Sequence, residues 1–133
     1  MINELRQVIE SRLNSIKTRF NIAEISYRLA SEDAMYPHIV WDYTNIVPQD
    51  QGRQDFTIDV HIWAKDQAQA FDIADAVIDL FSYANTPQEV ILPTFYQSSA
   101  FPVDDPDKTI IHVVTRLEGQ LYDKSKEVFS WQQ

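Results

Sequence analysis

Arg53 to Phe81, RQDFTIDVHIWAKDQAQAFDIADAVIDLF, is the stretch whose reading decides the fold. Phe56, Ile58, Val60 and Ile62 alternate with Thr57, Asp59, His61 and Trp63, the period of a strand with one face on a core. From Asp66 onward the apolar residues recur at helical spacing, so a long strand passes through a very short connection into a long helix. Burying the four strand residues contributes about 6–12 kcal/mol before chain entropy is set against it. That anchors a fold of the α+β class without naming a function.

The helix, expected from Asp66 to Tyr83, has Asp66 as its N-cap and carries Asp72, Asp75 and Asp79 along one narrow face. Phe71, Ala74, Val77, Ile78 and Phe81 form its main apolar stripe, and Ile73, Ala76 and Leu80 widen that arc beyond what one sheet face requires. The wide arc is either buried in the chain's own core or shared with a neighbouring subunit.

Upstream, Ile2 to Phe20 reads as an amphipathic helix with Leu5, Val8, Ile9, Leu13, Ile16 and Phe20 on one side. A strand is expected over Glu24 to Ala30, and a second over Tyr36 to Tyr43 whose pairing begins after Pro37, which has no amide hydrogen to give. Asn45 to Gly52, with Pro48, Asp50 and Gly52, reads as a long hairpin loop, either functional or a simple tip. Downstream, Asn85 to Pro87 ends the helix and Val90 to Leu92 is a short apolar run. Thr94 to Phe101 and Thr109 to Leu117 then form a hairpin around the polar turn Asp104 to Lys108, the second arm being β-branched enough for a central strand.

The order is thus α-β-β-β-α-β-β, a mainly antiparallel sheet of four to five strands with both helices on one face. One domain spans 1–121. Residues 122–133 form a C-terminal arm whose Val128, Phe129 and Trp131 dock either on their own body or on a neighbour.

The 133 residues suit one core, and a 44% hydrophobic content with 7 Phe, 6 Tyr and 3 Trp excludes disorder. The absence of cysteine excludes disulfides and thiolate metal sites and suggests a reducing compartment. The N-terminal residues lack a signal-peptide pattern and no apolar run is long enough to span a bilayer, so a soluble intracellular product with no membrane partner is expected. The net charge is −9, and Asp66 to Glu89 holds five acidic residues with no Lys or Arg, whereas Met1 to Arg28 holds five basic residues. Clustered cations that would hold phosphates are missing, which argues against DNA binding. Such polarity fits self-association or an ordinary monomer equally.

No constellation encodes catalysis, so no catalytic residue, metal ligand or cofactor is assigned. Two glycines, Gly52 and Gly119, cannot build a phosphate-binding loop, and there is neither a G-x-S-x-G elbow nor a cysteine nucleophile. Asp104, Asp105 and Asp107 lack the glycine and the alternating oxygens of a calcium loop. His61 and His112 can meet across adjacent strands and, with Asp59, suggest a metal site, but no ligand spacing supports it and strand histidines are ordinarily sheet residues.

Three stretches nevertheless resemble the tail terminator, or tail completion, proteins of long-tailed bacteriophages and prophages, over about Leu5 to Leu121. They are the strand Tyr36-Pro37-His38-Ile39-Val40, the strand Arg53 to Trp63 leading into an alanine-rich helix, and the hairpin from Phe101-Pro102-Val103 to Arg116-Leu117. The resemblance implies a non-enzymatic subunit of a ring, typically a hexamer, that caps the tail tube and docks it to the head connector of the virion, after assembly in the host cytoplasm. DNA then passes without specific binding, and Asp50, Asp72, Asp75 and Asp79 are the candidate channel-facing carboxylates. Ile73, Leu80, Phe129 and Trp131 are the candidate subunit-interface residues. The alternative is a small α+β binding or accessory module acting as a monomer or dimer.

Overall fold

The structure, a computed structural model, describes residues 2–48, 53–82 and 94–122. Its elements are α1 (Ile2–Asn14), β1 (Glu24–Tyr27), β2 (His38–Pro48), β3 (Arg53–Ala64), α2 (Gln67–Ser82), β4 (Thr94–Val103) and β5 (Ile111–Tyr122). The element order and the α+β class are those expected from the sequence. The sheet runs β1-β2-β3-β5-β4, so β3 is its middle strand and β5 is internal. All neighbours are antiparallel except β1 and β2, which are parallel.

Period two in β3 sorts the sheet into two faces. Phe56, Ile58, Val60, Ile62 and Ala64 are buried, and the register sets Ile39 and Trp41 of β2 and Val113 and Leu117 of β5 beside them. Leu5, Ile9 and Leu13 of α1 and Ala70, Ile73, Val77 and Phe81 of α2 close the same core, so both helices lie on one face. Their stems exclude water from a continuous apolar layer, the main stabilising term of the fold.

Several boundaries differ from expectation for identifiable reasons. The first helix ends at Asn14, not Phe20, yet Ile16 stays buried because the following turns keep it against the core. β1 stops at Tyr27, since Arg28 takes a positive φ of 72° that ends the extended run. β2 extends through Asn45 to Pro48, across residues expected to be loop. A bulge at Thr44 shifts its register and the pairing with β3 then resumes, Pro48 standing opposite Gln54. Pairing of β2 does begin after Pro37, with His38 opposite Trp63. β4 runs two residues past Phe101 to Val103, and β5 runs on to Tyr122. In α2, Asp66 caps as expected, its Oδ2 accepting from the Gln69 amide at 3.0 Å. The expected stripe is rotated, however: Phe71 is 40% exposed, while Ile73 and Ala76 are buried. The runs 83–93 and 123–133 lie outside the described residues.

Candidate functional site

The second sheet face carries the polar and aromatic side chains of β3, and no described helix covers it. One register row crosses the whole sheet there: Glu24, His38, Trp63, His112 and Val103. His38 stacks on Trp63 with centroids 5.1 Å apart, and Trp63 stacks on His112 at 4.3 Å. One row inward, His61 stands between Val40 and Val114 and brings its Nδ1 to 3.0 Å from His112 Nε2. One of these nitrogens carries the hydrogen and the other accepts it, so the pair holds a single bridging proton when neutral. Burial, reinforced by neighbouring His61, lowers the affinity of His112 for a further proton.

The next row holds Asp59, which is almost buried and receives a two-pronged bond from Arg116 at 2.8 and 3.0 Å. The guanidinium holds the Asp59 carboxyl below the ordinary carboxylate range against the opposing effect of burial, and Thr44 at the bulge adds a further bond. Arg116 in turn lies over the Phe101 ring at 5.7 Å. This row is a structural clamp between β3 and β5.

The expected meeting of His61 and His112 therefore occurs, but Asp59 is committed to Arg116. Among the described residues no three His, Asp or Glu side chains converge as a metal site would require. The arrangement can hold and exchange a proton and can stack planar groups. Among the described residues it pairs neither histidine with a hydroxyl nucleophile.

The acidic candidates separate cleanly. Asp72, Asp75 and Asp79 all stand exposed on the outer face of α2, whereas Asp50 lies outside the described residues. The interface candidates do not share one surface: Ile73 is fully buried in the chain's own core and Leu80 is half-buried against it. Phe129 and Trp131 lie outside the described residues. The exposure of several large apolar side chains was not read from the sequence, which set Phe71 in the main apolar stripe. Among the described residues they are Phe71 on α2, Val47 on β2, Phe101 and Val103 on β4, and Leu29 and Met35 in the connection between β1 and β2. Phe71 and Val103 line a groove of about 260 Å³ with Gln67, Pro102, Ile110, Ile111 and His112, rimmed by Asp104, Asp105 and Lys108.

No protein-family model matches the chain, and no curated protein matches it. Among solved structures, a chain of the virion of a native gene transfer agent particle shares the fold. The match covers 86% of this chain and 91% of that one with a TM-score of 0.59, at 12% identity. At that identity the likeness is one of fold.

Proposed function

We propose that this chain is a virion structural subunit that assembles into a ring, of about six copies as the family resemblance implies, capping a tail tube and docking it to the head connector. The observation that carries the reading is the shared fold along nearly the full length of a gene transfer agent virion chain. It is supported by the three stretches that resemble tail terminators, which fall on β2, β3 and the β4–β5 hairpin, neighbours in one sheet. Tail tube protein and connector protein are the partners of the two ring faces. No chemistry is asked of the chain in this role.

The exposed carboxylates Asp72, Asp75 and Asp79 form the channel-facing surface, where like charge keeps phosphates from adhering as DNA passes. Asp50 belongs to the same set. Negative-stain imaging of the purified chain, alone and with tail tubes, tests the role: ring particles that bind tube ends are expected. Particles of one or two chains that never decorate tubes contradict it and favour the accessory module.

A further inference from the structure

We infer that His112 is a two-position latch worked by protons. With at most one proton added to the His61–His112 pair, it is bridged to His61 and stacked on Trp63; once a second binds, it turns to Asp105 at the groove rim. The inference concerns a single chain and does not rest on the ring reading. Its basis is a contact between two bases, His61 Nδ1 and His112 Nε2 standing 3.0 Å apart. Neutral imidazoles satisfy that contact with one N–H facing one lone pair. A first added proton keeps it, since an imidazolium N–H still points at the remaining lone pair and the bond gains charge assistance. A second puts a hydrogen on both facing nitrogens, with no acceptor between them and two positive charges at contact distance. The bridge then has to open.

The surroundings decide which imidazole leaves and where it goes. Trp63 stacks on His38, His61 and His112 with centroids 5.1, 5.6 and 4.3 Å away. Its ring attracts one imidazolium, but two like charges in contact repel more strongly than a ring holds either. His61 stands on the middle strand with Asp42, Asp59 and Arg116 on the next row, and Asp59 is already bonded to Arg116. His112 stands one strand further out, opposite the uncharged Val103, and lines the groove. Burial first, and His61 second, disfavour a proton on His112, whereas Asp105 favours one. Asp105 is held ready, its Oδ1 accepting from the Asp107 amide at 2.9 Å. Asp104 and Lys108 share the rim, while Gln67 and Phe71 of α2 bring no charge to it. Beyond Trp63 on the same row, His38 Nδ1 donates to the Met35 carbonyl and Glu24 accepts from the Ser26 and Ser31 hydroxyls. An opened latch uncovers one side of Trp63 and sets a cation on the groove wall, so the sheet face and the groove change together.

Nitrogen-resolved NMR of the histidine side chains in the full-length chain, titrated from about pH 8 to about pH 4, tests the latch. His61 and His112 are expected to titrate as one pair in two steps, with the Trp63 indole signal moving only in the second. Asp105→Asn should lower the midpoint of the second step by roughly one pH unit and leave the first in place. His61→Gln should give His112 a single step. Steps that belong separately to the two residues, or an indole signal that follows the first proton, overturn the latch. A second step unmoved in Asp105→Asn overturns Asp105 as the acid position. Backbone amide signals should keep their dispersion through both steps, and its loss before the second also overturns the latch.

Discussion

Asp59 and Arg116 hold the two central strands together from the side opposite the core. Removing the guanidinium leaves an almost buried carboxylate without its partner, and hydrogen bonds to charged groups contribute about 1.5–3 kcal/mol. Arg116→Ala is therefore expected to lower stability by about 2 kcal/mol, read as a shift of the urea midpoint, with no change in helix content. The histidine pair gives a signed pH response. His112 in the folded chain binds a proton more weakly than the unfolded imidazole, whose reference value is 6.5. The unfolded state thus takes up more protons as the medium is acidified, so this contribution is present above that value and is lost as pH falls below it. Urea midpoints measured from about pH 7 to about pH 5 should fall, and His112→Gln should flatten the fall. An unchanged slope in the variant contradicts the assignment. Glu24 acts at lower pH still: the Ser31 amide first, then the Ser31 and Ser26 hydroxyls, hold its carboxyl down to about 2. Its hold on the connection is present above the usual carboxylate range and is lost as pH falls towards that value.

Helix α2 is the element on which folding and the proposed assembly divide. Ile73 belongs to folding, so Ile73→Ala is expected to cost about 2–5 kcal/mol by opening a cavity, measured by chemical denaturation. The three outer aspartates belong to the proposed channel. Asp72→Lys, Asp75→Lys and Asp79→Lys together should leave the fold intact while making the assembled particle retain DNA in a salt-dependent manner. Failure of that variant to retain DNA removes these residues from the channel wall. Much of this element was legible in the sequence: the cap at Asp66 and the acidic face follow from residue type and spacing. The orientation of its apolar arc was not. Phe71 and Ile73 both read as apolar, and only packing against β3 and β5 turns the face of Ala70, Ile73, Ala74, Val77 and Phe81 inward. Periodicity likewise records burial rather than hydrogen bonding, which is why Ile16 read as helix after α1 had ended. In β2 the polar and proline residues Asn45 and Pro48 read as a loop, although pairing with β3 and a bulge carry the strand through them. The meeting of His61 with His112 was open to the sequence once both strands were recognised. The companion row from Glu24 to Val103 required the register.

At the scale of the molecule, one sheet presents a helix-covered face that stabilises the chain and a polar, aromatic face that no described helix covers. Exposed apolar side chains stand in the β1–β2 connection, and an apolar groove lies between α2 and the β4–β5 turn. The solution mass of the full-length chain is the direct test. A single species at a fixed multiple of the 15.5 kDa chain, unchanged on moderate dilution, is the predicted result. A mass of 15.5 kDa at all concentrations, both alone and with tail tubes, would contradict the account.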